Sequence, residues 1–229
     1  MKHSANLLAP LVAGLMALAA PEVGAATPAL TLSSVGATFP TDGKFTLGFE
    51  FMVSEAVEVV SLGVFDGGAP GLAAPAQVSL WLDDQVGTLL ATTEVAAGTG
   101  ATLVGQFRHV AISPLTLLPG NIYVIGAYLP AGEATAFNMG GDSSVGSFDG
   151  RLTQVVDRYW DDGQDFPLGS SGVAGSAWLG ANFQIAAVPE PGQAGLLTLG
   201  LLGLALRRRQ QMSAGTSADQ SSSGSIAQR

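Results

Sequence analysis

Hydrophobic and polar residues alternate with a period of two along much of the middle of the chain. In the segment 45–53 one face would carry Phe45, Leu47, Phe49, Phe51 and Val53. Because successive side chains of a strand point to opposite sides, this alternation predicts a half-buried strand. We therefore expect Phe49 to lie in the core and its neighbour Glu50 to face solvent.

The same alternation recurs several times, and turn residues mark the ends of each repeat. Runs rich in Gly, Pro, Asn and Asp, such as 66–71 and 119–121, are typical of turns. The sequence predicts strands at 45–53, 57–65, 77–82, 89–95, 102–112, 122–129 and 178–185, with another short strand around Phe137 and Met139. No stretch of this region keeps a helical period for three turns. These patterns predict an all-β fold, an antiparallel β-sandwich of jelly-roll type, with a barrel as the alternative.

Near the C-terminus the alternation gives way to a run that is apolar on every side. Residues 192–206 are rich in leucine and carry no charge, and Arg207, Arg208 and Arg209 follow directly. Such a run predicts a short transmembrane helix whose arginine stop remains in the cytoplasm, so that the preceding chain lies outside. A helix over this run would reach only ~22 Å, less than the roughly 30 Å of a hydrocarbon core. The short span favours a sorting signal, and a simple membrane anchor is the alternative.

Pro189, Glu190 and Pro191 stand immediately before this run. The prolines cannot continue a helix from upstream, so we expect an extended segment just outside the bilayer, within reach of an enzyme. Together the Pro-Glu-Pro element, the short span and the arginines resemble the PEP-CTERM sorting signal of Gram-negative bacteria. The resemblance implies recognition by an integral-membrane exosortase, processing of the tail and an association with exopolysaccharide. Residues 210–229, rich in Ser, Gly and Gln, extend beyond the usual end of this signal and are predicted to be a disordered tail.

The N-terminus has the composition of a secretory signal peptide. Lys2 and His3 precede an apolar run at 7–20, and the small residues at 23–25 suit a signal peptidase. The predicted organisation is a signal peptide at 1–25, an exported β-sandwich at 26–188, a sorting signal at 189–209 and a tail at 210–229. The protein would pass through the inner membrane as a precursor and reach the cell surface or the extracellular matrix.

The charge and the cysteine content of the exported segment exclude several classes of partner and of site. Residues 27–188 hold 15 acidic and 4 basic side chains, a net charge of about −11. This charge opposes binding to nucleic acid and to anionic lipid. The chain has no cysteine, so disulfides, thiolate metal sites and a cysteine nucleophile are all excluded. Apolar packing alone must hold the core.

Few residues suggest catalysis. His109 is the only histidine after the signal peptide, and it lies in a predicted strand. A serine hydrolase would have to use it, but a lone strand histidine is more often structural. A carboxylate pair for glycoside hydrolysis stays open, although nothing singles out two residues. We therefore expect the protein not to be an enzyme.

The densest polar cluster runs from Arg158 to Phe166. Asp161, Asp162 and Asp165 surround a glycine and offer the oxygen ligands that Ca²⁺ prefers. Their spacing does not match an EF-hand loop, so a solvated acidic turn is the alternative, and no cofactor other than calcium is suggested. Three aromatic residues are candidates for stacking on a glycan, and Trp81 is the one expected to be most exposed. The three are Trp81, Tyr159 and Trp160.

The middle of the chain also carries a resemblance. The phrases FTLGFEF, VVSLGVFDGG, QVSLWL, GQFRHV, LLPGNIYVIGAY and GANFQI are similar to a β-sandwich domain that recurs in PEP-CTERM proteins. The resemblance spans 35–185 and implies an exported domain with no assigned activity. The sequence thus favours a non-enzymatic cell-surface or extracellular-matrix protein that is sorted by an exosortase and associated with exopolysaccharide or biofilm. The alternatives are a carbohydrate-binding module and a glycan-active enzyme.

Overall fold

Strands make up all the regular structure between residues 25 and 187 that the computed structural model describes, namely 25–34, 38–40, 45–129, 134–138, 145–161 and 163–187. Outside this region it describes only residue 204. The strands, in chain order, are β1 (Thr27–Pro28), β2 (Leu30–Leu32), β3 (Thr38–Pro40), β4 (Phe45–Val53), β5 (Val57–Phe65), β6 (Ala76–Leu82), β7 (Thr88–Val95), β8 (Thr102–Val104), β9 (Phe107–Leu117), β10 (Ile122–Leu129), β11 (Ala134–Asn138), β12 (Gly146–Phe148), β13 (Leu152–Trp160), β14 (Ala177–Trp178) and β15 (Ala181–Ile185).

Two five-stranded sheets contain most of these strands. The A sheet has the order β1-β15-β5-β9-β8, and the B sheet has the order β13-β4-β10-β6-β7. Every neighbouring pair in both sheets is antiparallel. Two small sheets, β14-β11-β3 and β12-β2, complete the described strands. The prediction of an all-β, antiparallel fold is therefore confirmed.

Connections between strands repeatedly pass from one large sheet to the other. The chain runs from β4 in the B sheet to β5 in the A sheet, returns for β6 and β7, and then crosses again for β8 and β9. In an up-and-down barrel, consecutive strands would instead be neighbours. The connectivity therefore favours a sandwich over the barrel alternative.

The inner faces of the two sheets meet in one apolar core. Phe49 and Phe51 of β4 are fully buried, as are Leu62 of β5 and Phe183 of β15. The ring centroid of Phe51 lies 5.3 Å from that of Phe183, which joins the B sheet to the A sheet. The apolar positions that predicted β4 thus face this core, and the residues between them lie on the opposite face of the sheet.

Several predicted strands match the structure, and others are divided. The segments 45–53, 57–65 and 122–129 are strands over the predicted residues. The predicted strand 102–112 is wrong in its extent, because a turn with Gly105 at φ +60° splits it into the β8–β9 hairpin. The predicted strand 178–185 is likewise divided into β14 and β15. Phe137 lies in β11, and Met139 lies outside the described residues.

β13 was not predicted, and its irregular register explains why. The pairing with β4 shifts between Gln154 and Asp157, where β13 carries an extra residue. Such a bulge breaks the period of two on which the prediction depends. Residues 158–160 were therefore interpreted as the start of a polar cluster, whereas they form the end of an edge strand.

The two segments predicted to be directed to the membrane fall beyond the part of the chain that the structure describes. The predicted signal peptide (its residues 1–24), the Pro-Glu-Pro element, the arginines at 207–209 and the tail at 210–229 are all outside it, as is the apolar span apart from Leu204. Among the described residues, none belongs to a helix with the length and apolar character needed to cross a bilayer.

Replacing a buried ring in β4 tests the inner-face packing. We expect Phe49→Ala to lower the free energy of unfolding by about 3 to 5 kcal/mol, because it leaves a cavity between the sheets. Denaturant unfolding of residues 26–188 measures this change. Met52→Ala is the matched control, since Met52 lies on the exposed face of the same strand, and equal losses for the two variants would contradict the assigned faces.

Candidate functional site

Part of the outer face of the B sheet is covered by residues 163–168, which we call the cover segment. The Thr46 hydroxyl donates a hydrogen bond of 2.7 Å to the Gly163 carbonyl oxygen at one end of this segment. Further along, the Phe166 ring packs edge-on against Trp81, with centroids 5.9 Å apart. Phe166 also rests on Gly87, where any Cβ would come within 2.3 Å of the ring. The cover segment thus encloses a second apolar cluster formed by Trp81, Val124 and Phe166.

The position of Trp81 corrects the sequence prediction. Trp81 was expected to be the most exposed aromatic side chain, but only 6% of it is accessible. It does point away from the main core, as its place in the strand indicated, and it is Phe166 that buries it. The expectation of an exposed Trp81 was therefore wrong, and its burial opposes a direct contact with a glycan.

An ionic cluster lies on the same face. The Arg158 guanidinium binds Glu50 through Nε at 2.9 Å and through Nη2, and Nη2 also donates to Asp83. Glu50 is only 7% exposed, so the expectation that it faces solvent was wrong. One arginine therefore holds two carboxylates from β4 and the end of β6 in a largely buried site.

The predicted calcium and glycan residues lie around the end of β13. Asp161 and Asp165 are exposed, and Asp162 lies outside the described residues. Within the described part of the chain, no three His, Cys, Asp or Glu side chains form a group that could hold a metal ion. Calcium binding that includes Asp162 stays a prediction.

Tyr159 and Trp160 lie at the surface of the same edge. Trp160 is half-buried, and Tyr159 is 38% exposed. The Tyr159 ring lies against Gly169, where a Cβ would come within 2.5 Å of it. Two backbone hydrogen bonds of 2.9 Å join these residues and fix the position of Tyr159. The structure therefore leaves Tyr159 as the rigid, accessible aromatic of the three candidates.

His109 is buried on the outer face of the A sheet, and only 4% of it is exposed. The Ser61 hydroxyl donates to Gln184 Oε1 at 2.8 Å, so its oxygen is the acceptor for His109 Nδ1 at 3.2 Å. This arrangement places the imidazole proton on Nδ1. Burial lowers the pKa of His109 from 6.5 to about 4. A histidine with this pKa, whose serine neighbour gives its proton to an amide, is poorly suited to act as a general base at neutral pH.

Asp66 and Arg108 form a buried ion pair that was not predicted from the sequence. The pair lies at the end of the sandwich that is opposite to the two chain ends. Arg108 Nε donates to Asp66 Oδ2 at 2.6 Å, and Nη1 donates to the carbonyl oxygens of Thr99 and Ala101. Asp66 also accepts from the Gly71 amide. The pair ties the 66–71 loop to the segment 99–101. Asp66 lies in a Gly-rich turn and Arg108 in an apolar alternation, so neither position indicated a buried partner in advance.

The sorting element follows closely after the last strand. The Ala186 amide donates to the Glu58 carbonyl oxygen at 2.8 Å, which keeps the chain in the A sheet to this residue. Pro189 comes three residues later. The compact unit of residues 24–187 therefore ends where the Pro-Glu-Pro segment begins.

Comparison with known families identifies both parts of the chain. Residues 187–209 match the PEP-CTERM protein-sorting motif, which confirms the resemblance seen in the sequence. An all-β domain followed by this motif defines an exported protein that is sorted by an exosortase. Residues 32–171 match DUF4082, a domain of unknown function, and the chain belongs to this family. None of the curated proteins compared with the chain matches it.

Removing the central cation should destabilise the ionic cluster. We expect Arg158→Met to cost roughly 3 kcal/mol of folding free energy, because Glu50 and Asp83 would be left largely buried without a partner. Arg151→Met is the control, since Arg151 pairs with Asp149 in a more exposed loop and its loss should cost ~1 kcal/mol or less. Equal effects in denaturant unfolding would contradict the burial of the cluster.

His109 should make the domain acid-sensitive. Its pKa is depressed in the folded state, so the unfolded chain takes up a proton first as the pH falls below 6.5. Stability is then fully present above pH 6.5 and falls as the pH approaches 4, by about 3 kcal/mol in total. Thermal or urea unfolding of the wild type and His109→Gln across this range gives the difference. Parallel pH profiles for the two proteins would show that His109 is not the group responsible.

Proposed function

We propose that the protein is a non-enzymatic component of the cell surface or extracellular matrix. An exosortase processes its membrane-bound precursor, and the mature protein associates with exopolysaccharide. The observation that carries this proposal is the match of residues 187–209 to the sorting motif, directly after a compact β-sandwich. The predicted signal peptide at 1–25 supports delivery across the inner membrane and cleavage by signal peptidase. The arginines at 207–209 support retention of the precursor until it is processed.

The environment of the histidine in the exported segment supports a non-enzymatic role. His109 is the only histidine after the signal peptide, and it is buried with a depressed pKa. Two carboxylates of the B sheet, Glu50 and Asp83, are both bound to Arg158. Their oxygens are engaged by the Arg158 guanidinium, whereas the carboxylate pair of a glycosidase flanks an open space for the sugar.

Direct glycan binding is the second candidate, and Tyr159 favours it. Its ring is fixed against Gly169 and remains 38% exposed, as a stacking platform for a sugar requires. The net charge of about −11 over residues 27–188 favours a neutral polysaccharide over an acidic one. A glycan array with the exported domain and its Tyr159→Ala variant tests this. If the exported domain binds a glycan on the array and the Tyr159→Ala variant does not, Tyr159 is a contact residue. Equal binding signals for the two proteins would exclude Tyr159 as the contact.

The sorting proposal predicts the C-terminus of the mature protein. In a strain that contains the exosortase, the surface protein should lack the residues after the Pro-Glu-Pro segment, and Glu190→Ala should accumulate as unprocessed precursor in the inner membrane. Intact-mass measurement of the wild type with and without the exosortase gives the result. Glu22→Ala is a suitable control because it changes an acidic residue of the predicted signal peptide, far from the sorting motif. A mass that extends to Arg229 in both strains would refute processing and favour a simple anchor.

A further inference from the structure

Both ends of the exported domain leave the sandwich at the same place. Thr27 at the start of β1 is the register partner of Ile185 at the end of β15. Four connections meet this end of the sheets, between β4 and β5 (54–56), between β6 and β7 (83–87), between β9 and β10 (118–121), and between β12 and β13 (149–151). We call this set of loops, with the two chain ends, the exit end.

The chain allows little distance between the exit end and the sorting element. Ile185 is buried and paired in the A sheet, and only residues 186–188 separate it from Pro189. Even a fully extended chain spans at most ~14 Å over these four steps. An enzyme that holds Pro189 through Pro191 while the domain is folded must therefore lie against the exit end.

Leu118 is held at this surface by a rigid loop. The buried Tyr123 hydroxyl donates to the Leu118 carbonyl oxygen at 3.0 Å and accepts from the Leu118 amide at 2.8 Å. The Asn121 side chain also donates to this hydroxyl. Leu118 nevertheless remains 53% exposed. It follows β9, which is two strands from β15 and so ~10 Å from the departing chain.

Val86 is exposed in the same way on the second loop. Asp84 accepts from the Val86 amide at 3.0 Å and from the Thr88 amide and hydroxyl at 3.1 and 2.6 Å. The Thr88 hydroxyl bond holds the pKa of Asp84 below its usual value, so this carboxylate stays ionised. Val86 is 79% exposed. Two loops fixed by hydrogen bonds thus present apolar side chains to solvent in defined positions, which lowers the entropic cost of a contact with a partner.

The charge at the exit end indicates whether a protein or the lipid bilayer is the surface that contacts it. Glu55, Glu58 and Asp84 are exposed there. Arg151, which lies beside Thr27, is already paired with Asp149. Arg151 also interacts electrostatically with Glu55, so one described cation faces four carboxylates, and this excess of negative charge opposes contact with an anionic membrane surface. It is compatible with a protein surface that offers apolar and basic groups.

We propose that the exit end, with Leu118 as its main contact and Val86 as a second one, docks on the periplasmic surface of the exosortase while the Pro-Glu-Pro segment is processed. This inference rests on the proposed sorting function and adds a role for the folded domain in it. The domain is then part of the substrate, and it raises the rate of processing by holding the precursor on the enzyme.

Pulse-chase of the full-length precursor in the exosortase strain tests the docking. We expect Leu118→Ser to slow processing by roughly three- to tenfold, which corresponds to a modest loss of binding, and Val86→Ser to slow it in the same direction. Leu103→Ser is the matched control, because Leu103 is 41% exposed but lies in β8 at the opposite end of the sandwich. Equal rates for the wild type and both exit-end variants would overturn the proposal.

A second arm separates docking from other causes. A ten-residue Gly/Ser insert between Ala187 and Val188 frees the Pro-Glu-Pro segment from the domain, so the insert should make processing insensitive to Leu118→Ser. If Leu118→Ser slows processing both with and without the insert, the cause is a change in folding or in lipid contact rather than docking. That result would overturn the proposal. Glu190→Ala distinguishes failure of the sorting function from failure of the docking. If Glu190→Ala is processed normally, the proposed sorting function is wrong. If Glu190→Ala blocks processing while Leu118→Ser and Val86→Ser are processed at the wild-type rate, only the docking is wrong.

Discussion

Packing between the inner faces of the two sheets holds this domain together, and the contact of Phe51 with Phe183 is at its centre. The chain has no cysteine, so no disulfide joins the A sheet to the B sheet. Phe51 comes from the B sheet and Phe183 from the last strand of the A sheet. Tyr123 packs on the same Phe51 ring at 5.8 Å, and its hydroxyl fixes the 118–121 loop. The position of a surface loop therefore depends directly on the core.

The outer face of the B sheet is organised by a different principle. Here the cover segment supplies the apolar partner that Trp81 requires, while Arg158 supplies the charge that Glu50 and Asp83 require. Glycine at position 87 allows the Phe166 ring to approach this closely. Buried ion pairs contribute less to stability than equivalent apolar packing, but they are costly to leave incomplete. The cluster is thus better understood as fixing the position of β13 against β4 than as a source of net stability.

The sequence was sufficient to predict the fold class and the sorting motif, because both depend on local patterns. In β4 the alternation from Phe45 to Val53 is unbroken, and its prediction is confirmed. β13 was missed because its bulge interrupts the alternation. Trp81 and Glu50 point outward from their strands as expected, but their burial depends on Phe166 and Arg158, which are 85 and 108 residues away in the chain. No local pattern contains that information, and the same is true of the pair formed by Asp66 and Arg108.

The position of β15 has a consequence for the timing of folding. This strand is the last in the domain, yet it lies inside the A sheet between β1 and β5, and it pairs Thr27 with Ile185. A chain that emerges from a translocation channel with its N-terminus first cannot complete the A sheet until residue 185 has emerged. Contacts between residues so distant in the chain also form slowly. Closure of the sandwich therefore comes no earlier than the emergence of the last strand, which ends only four residues before Pro189, so a chain exported with its N-terminus first is still incompletely folded when the sorting signal follows.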